Sequence, residues 1–132
     1  METNLKNKLI EAAESAWKKA YAPYSNFRVG AAVLTKSGDI FTGCNVENIS
    51  YGLTSCAERN AIFSAIAQKG KIDIEAVAVT CENELGAPPC GACRQVIAEF
   101  GPEAKILYKK QGKFFELNLN DLLPSSFDRL SV

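Results

Sequence analysis

The apolar residues of this chain change their spacing in a definite order, and that order restricts the fold more than any other feature of the sequence. From Leu5 to Ala20, the positions Leu5, Leu9, Ala12, Ala13, Ala16, Trp17 and Ala20 recur at helical spacing. This predicts an amphipathic helix with Thr3 or Asn4 as its N-cap. Two β-prone runs follow, Phe27 to Leu34 and Ile40 to Val46, joined by Lys36-Ser37-Gly38-Asp39, whose glycine suits a tight hairpin. A second helix is expected from Ser55 to about Ala67, stopped by Gly70, and a strand from Ile74 to Thr80. A third helix runs from Gly91 to Phe100 and closes at Gly101-Pro102. Lys105 to Lys109 and Lys113 to Leu117 then flank the turn Gln111-Gly112, and a short helical turn, Asn120 to Leu123, ends at Pro124. The order is αββαβαββ. Strands separated by helices in the middle of the chain, with a hairpin at either side, imply a mixed five-stranded sheet covered by helices, an α/β fold of the three-layer α/β/α sandwich type. Ligand sites in such sheets lie beyond the carboxyl ends of strands, where helices begin.

Composition narrows the function. The chain of 132 residues has the size of one domain, read here as 1–132, and can bury a core without disulfides. Its 15 Lys+Arg balance 15 Asp+Glu, which leaves no electrostatic footprint for a nucleic acid. The polar N-terminus (Glu2, Asn4, Lys6, Lys8) and the lack of a run of about 18 apolar residues predict no signal core and no membrane span, hence a cytoplasmic protein. Five cysteines, at 44, 56, 81, 90 and 93, then point to metal binding or catalysis, because cytosolic thiols are kept reduced. The absence of histidine excludes Ser-His-Asp and Cys-His relays and every His-ligated metal site. General acids and bases must come from other groups.

Two segments carry the chemistry: Ser55-Cys56-Ala57-Glu58-Arg59 and Pro88-Pro89-Cys90-Gly91-Ala92-Cys93-Arg94-Gln95, each at the start of an expected helix. Cys90 and Cys93, three apart, lie on one helical face and can converge on one ion, with Cys56 supplied by the neighbouring helix start. Helix N-termini favour thiolates. Three sulfurs select Zn²⁺ and leave one tetrahedral position open, the mark of a catalytic zinc when water fills it. Glu58, in the first turn beside Cys56, is placed to take a proton from that water. Two local alternatives stand beside this reading. Ser55 and Glu58 also spell a capping box, S-x-x-E, and an isolated C-x-x-C also occurs as a structural zinc half-site or a redox pair.

The combination of C-A-E with P-C-x-x-C resembles the cytidine deaminase family, of the small homotetrameric, three-cysteine kind, and agrees with the general signature of zinc deaminases. The resemblance covers nearly the whole chain. It includes Ala22-Pro23-Tyr24-Ser25-Asn26-Phe27-Arg28-Val29-Gly30-Ala31-Ala32, Gly43-Cys44-Asn45-Val46-Glu47-Asn48, Cys56-Ala57-Glu58-Arg59, Pro89-Cys90-Gly91-Ala92-Cys93-Arg94-Gln95 and Leu122-Leu123-Pro124-Ser125-Ser126-Phe127.

That resemblance implies hydrolysis of cytidine and 2′-deoxycytidine at C4 to the uridine products and ammonia, in pyrimidine salvage. It implies Cys56, Cys90 and Cys93 as ligands of one Zn²⁺ per chain and Glu58 as proton carrier. Phe27, Ala57, Asn45 and Glu47 match substrate-binding positions, the last two read here as one face of a strand holding ribose. The plain alternatives are a core role for Phe27 and a solvent-facing strand end for Asn45 and Glu47. Arg59 matches an arginine that donates to the zinc thiolates; three thiolates and one Zn²⁺ carry one unit of excess negative charge, which a cation offsets. Otherwise Arg59 is a solvated helix residue. Tyr51 and Phe127 match aromatics that reach a neighbouring subunit's site, implying a homotetramer with shared sites. Cys44 and Cys81 read as buried free thiols, and Trp17 as core.

Rival readings remain within and beyond the enzyme class. A deaminase for another aminopyrimidine, such as blasticidin S, or for a polynucleotide would share the zinc motif, but Asn45 and Glu47 favour a ribosyl substrate and the neutral charge disfavours a strand. A structural zinc module would need a fourth ligand, and no further cysteine falls at usual zinc-motif spacing.

Overall fold

In the computed structural model, which describes residues 1–83 and 85–128, a mixed five-stranded sheet lies between helices on both faces. The elements in chain order are α1 (Thr3–Trp17), β1 (Val29–Thr35), β2 (Ile40–Cys44), a 3₁₀ turn (Tyr51–Leu53), α2 (Ala57–Lys69), β3 (Ile74–Cys81), α3 (Gly91–Phe100), β4 (Lys105–Lys110), β5 (Lys113–Asn118) and α4 (Leu119–Leu122). The sheet order is β2-β1-β3-β4-β5. Only β3 and β4 are parallel, joined through α3; β1 pairs antiparallel with both β2 and β3, and β4 with β5. This is the expected three-layer α/β/α arrangement.

The central strands show why both faces are covered. Every residue of β1 is buried, and β3 is buried except at Glu75, as expected for strands sandwiched between two helical layers. On one face Leu9 and Ala13 of α1 pack on Ala32, Leu34, Ala76, Ala78 and Leu107. On the other, α2 and α3 bring Ala57, Ala61, Ile62, Ala65 and Ile97 against Ala31, Val33, Val77, Val79 and Ile106 of the sheet. Complete burial of each branched side chain among these is worth about 1.5–3 kcal/mol.

Two glycines set how closely the helices approach. A Cβ on Gly30 would lie 2.2 Å from Ala13 O in α1, and one on Gly43 would lie 2.4 Å from Ala61 N in α2. These positions are adjacent in the β1–β2 ladder, where Gly30 pairs with Cys44 and Ala31 with Gly43. The β4–β5 turn has positive φ at both Gln111 (53°) and Gly112 (77°), the conformation required at both central residues of a type I′ hairpin.

The structure corrects several boundaries. The first helix starts at Thr3 with Glu2 as N-cap and ends at Trp17 rather than Ala20. The first strand begins at Val29, not Phe27, and the second ends at Cys44, not Val46. Beyond it the chain stays extended but leaves the sheet: Val46 bridges both Tyr21 and Ser55. The second helix begins after Cys56, not at Ser55. Trp17 is half-buried, its indole donating to Glu14 and its ring lying 5.0 Å beneath the Arg28 guanidinium. Cys81 is buried as expected, whereas Cys44 is only half-buried.

Candidate active site

Two helix starts meet where β1 begins and its antiparallel neighbour β3 ends. Cys56 is the N-cap of α2 and Cys90 the N-cap of α3, both in extended conformation. Cys93 lies in the first turn of α3, and its amide donates to Cys90 Sγ at 3.5 Å. The three sulfurs all fall within 4.8 Å of one another, with Cys56 and Cys90 Sγ 3.9 Å apart. Tetrahedral Zn–S bonds of about 2.3 Å place sulfurs about 3.8 Å apart, so the donor set fits a zinc ion.

Its electrostatics point the same way. The Cys56 thiol is brought down to about 5, chiefly by the hydrogen bond from Cys93 and further by Arg59 and Cys90, against the opposing effect of burial. Cys93 is pushed up, because it donates to the Cys56 thiolate and is itself buried. Cys56 and Cys93 therefore compete for one negative charge, and a divalent cation would take the place of the proton held between them. Arg59 Nη2 donates to Cys56 Sγ at 3.3 Å, and this contact raises the guanidinium further above its ordinary range. Arg59 is therefore a partner of the sulfur cluster, not a solvated helix residue.

Glu58 follows Cys56 by two residues and is 4% exposed. Because α2 is capped by Cys56 and shows no side-chain cap hydrogen bond, the Ser55-x-x-Glu58 capping box does not form. Ser55 Oγ instead donates to Asn60 Oδ1 at 2.7 Å. Burial raises the Glu58 carboxyl to about 7, reinforced by the Cys56 thiolate and opposed by its own amide, Cys93 and Arg59. A carboxyl with that value exchanges protons readily at neutral pH.

Glu58, Cys56 and Cys90 open onto a cavity of about 360 Å³ whose wall also includes Phe27, Val29, Asn45, Ala57 and Pro88, with Cys93 buried behind it. It is largely apolar with a few polar groups, as small-ligand sites are. Phe27 is half-buried at its rim, and Ala57 is fully buried at the first helical position. Asn45 has a second duty: Oδ1 accepts from Val29 N and Nδ2 donates to Phe27 O, both at 2.8 Å. Glu47 lies beside a second cavity of about 380 Å³ with Tyr24, Ser25, Tyr51 and Thr54. There it accepts from the Tyr24 and Ser25 amides at 2.9 and 3.1 Å and from the Ser25 hydroxyl, which hold its carboxyl below the usual range. Asn45 and Glu47 are thus not neighbours on one face of a sheet strand, as expected; they stand on the extended segment after β2 and border adjoining cavities. Thr54 borders both.

Tyr51 and Phe127 are 75% and 71% exposed, and neither borders the cavity at the sulfurs. Tyr51 meets Tyr24 edge-on with ring centroids 6.1 Å apart, and Phe127 is held by its carbonyl, which accepts from Gln95 Nε2 at 2.9 Å.

Two residues around the site carry no sign of their role in the sequence. Asn60 Nδ2 donates to Cys44 O at 2.7 Å and to Ser55 O at 3.4 Å. Arg94 Nε donates to Pro89 O at 2.7 Å and Nη1 to Leu122 O at 2.8 Å. Only their positions, each four residues after an N-cap cysteine, could have singled them out.

The chain is similar to a known family and to solved structures. The profile of the cytidine and deoxycytidylate deaminase zinc-binding region matches residues 3–109. The chain is 48% identical over 121 residues to a cytidine deaminase of Halalkalibacterium halodurans, covering 90% of this chain and 91% of the relative. It is 45% identical over 124 residues to a cytidine deaminase of Sporosarcina psychrophila, covering 92% and 90%. A crystal structure of cytidine deaminase from Burkholderia pseudomallei superposes with a TM-score of 0.86 at 49% identity, covering 96% of this chain and 100% of that one. With three sulfurs gathered at two helix starts and a buried carboxyl beside them, the chain belongs to the cytidine and deoxycytidylate deaminase family.

Proposed function

We propose that this chain, as one domain over 1–132, is a zinc-dependent cytidine deaminase that converts cytidine and 2′-deoxycytidine to uridine and 2′-deoxyuridine with release of ammonia. The observation that carries this reading is the buried Glu58 carboxyl, which lines one nucleoside-sized cavity together with Cys56 and Cys90 of the three-sulfur cluster. Cys56, Cys90 and Cys93 would hold the metal. Zinc bound there is a Lewis acid that makes water acidic near neutral pH. Glu58 takes one proton of the water that adds to C4 and passes it to N3 of the pyrimidine; it then takes the second from the new C4 hydroxyl and delivers it to the amino group, so that the C4–N bond breaks, the C4 carbonyl forms and ammonia leaves. Its value of about 7 serves both the uptake and the release.

Arg59 offsets the excess negative charge of three thiolates. Phe27 and Ala57 border the space for the base. Asn45 and Glu47 are the ribose contacts, and the amides and hydroxyl that now bind Glu47 keep it ionised as a hydrogen-bond acceptor. The exposed Tyr51 and Phe127 support a homotetramer in which they complete a neighbour's site. All five cysteines are free and no described helix is long and apolar enough to cross a membrane, which supports a place in cytoplasmic pyrimidine salvage.

The test is Glu58→Gln in zinc-loaded protein. One zinc per chain is retained while cytidine turnover falls by about 10²–10⁴-fold; full turnover in that variant would sink the role given to Glu58. A panel of cytidine, cytosine, blasticidin S and a short single strand decides the substrate class.

A further inference from the structure

The loop before Cys90 has an unusual difficulty in holding its shape. Pro88 and Pro89 precede the thiol, and neither has an amide hydrogen with which to anchor the backbone. Cys90 is itself exposed. The last amide before the prolines, Ala87 N, donates to Lys109 O at 3.1 Å; nearer the thiol the backbone is gripped by Arg94, whose Nε donates to Pro89 O at 2.7 Å. The same guanidinium extends Nη1 to Leu122 O at 2.8 Å. Leu122 is the last residue of α4, where helix carbonyls lack intrahelical partners. From there the chain runs to Phe127, whose carbonyl is held by Gln95, the residue after Arg94.

The other helix start is built on the same plan. Asn60 stands four residues after Cys56, as Arg94 stands four after Cys90, and donates to Ser55 O, the carbonyl just before the thiol. Its second acceptor, Cys44 O, precedes Asn45 at the cavity wall. In each case a side chain one turn into the helix grips the residue before the N-cap sulfur and a separate stretch of chain that leads to a residue assigned to substrate.

We infer that Arg94 is a positioning residue for the reaction: its two hydrogen bonds fix Cys90 for the metal and, through Leu122, fix the C-terminal segment that carries Phe127. This rests on the zinc deaminase reading above. A planar guanidinium donates along diverging directions at once; an ammonium in the same place reaches one of the two carbonyls.

The experiment compares zinc-loaded wild type, Arg94→Gln and Arg94→Lys by competition with a chromophoric chelator, by kcat and KM for cytidine, and by Tm. Arg94→Gln weakens zinc binding about tenfold or more and raises KM, with a smaller change in kcat. Arg94→Lys lies between it and wild type. A lowered Tm with wild-type zinc affinity and KM shows a merely structural bond and overturns the inference. Should Arg94→Gln fail to fold, Arg94→Lys carries the test: weakened zinc binding supports the inference, and wild-type affinity overturns it. Chelator competition is read without turnover, so a wild-type protein that binds zinc but does not deaminate cytidine counts against the proposed function and not against Arg94.

Discussion

Cys56 and Cys90 are 34 positions apart in the chain, yet each is the N-cap of a helix and their sulfurs lie 3.9 Å from one another. The pairing concentrates two helix N-termini, each with partial positive charge, on one small volume. Anionic sulfur is stabilised there before any metal arrives, and the Arg59 guanidinium adds a full charge.

Removing the metal should separate chemistry from folding. The two apolar clusters are built by the sheet and its helices, so a strong chelator is expected to abolish cytidine turnover while far-UV circular dichroism stays near that of the loaded protein. Added zinc should restore activity and raise Tm in proportion to the logarithm of its free concentration. Loss of all helical signal on chelation would show that the cluster holds the fold together.

Arg59→Gln leaves the sulfurs in place but removes the cation bonded to Cys56. Zinc affinity or kcat should fall by about 10–100-fold, and in metal-free protein the pH at which the Cys56 thiol becomes reactive toward an alkylating agent should move upward, because a partner that lowers its pKa is gone. A reactivity midpoint at the wild-type pH would contradict the electrostatic role.

Gly43→Ala tests the close approach of α2 to the edge hairpin. The new Cβ would meet backbone atoms at 2.4 and 2.6 Å, and backbone cannot swing aside as a side chain can. A loss of about 3 kcal/mol or more is expected, measured by urea unfolding. Gly52→Ala, with no atom within 4 Å of the added Cβ, is the control.

The pair formed by Glu82 and Arg28 gives a pH-dependent expectation. Arg28 donates from Nε and Nη2 to the two carboxylate oxygens, both at 2.9 Å, and this lowers the Glu82 pKa from its ordinary value. A carboxylate with a depressed folded-state pKa stabilises the protein above its unfolded value of about 4.3 and loses that contribution as the pH falls through the folded value. Tm of Glu82→Gln should therefore lie below wild type at pH 7, and the two should converge in acid. Because the pair is exposed, the difference should shrink in high salt.

Asn60→Ala removes the side chain that joins Ser55 to Cys44. Three hydrogen bonds are lost around half-buried groups, and a cost of about 1–3 kcal/mol is expected in chemical unfolding.

The sheet, its helical layers and the metal-binding residues are legible along the chain because each depends on short-range pattern. Helical spacing exposes α1, α2 and α3, and turn residues place both hairpins. C-A-E and P-C-x-x-C mark the donors because a helix start brings residues within one turn together. Sequence and structure part where the chain leaves a regular element. Val46 is as β-prone as Val33, but its partners are Tyr21 and Ser55 outside the sheet. Ser55 has the spacing of a capping residue for Glu58, yet its hydroxyl is committed to Asn60. Neither partner can be inferred from spacing, because both depend on which segments the fold places nearby.

The order of periodicities points to an α/β sandwich, and the two cysteine motifs in a chain without histidine point to a sulfur-rich metal site, since both follow from residue type and local geometry. Tertiary structure decides what those residues become. Burial of Glu58 turns an ordinary carboxylate into a group near neutrality, because removal from water disfavours its charged form. The meeting of two helix starts sets Cys93 beside Cys56, which lowers the one thiol and raises the other. Both effects depend on distances across the fold and on exclusion of solvent, quantities that exist only once β1 and β3 have brought α2 and α3 together.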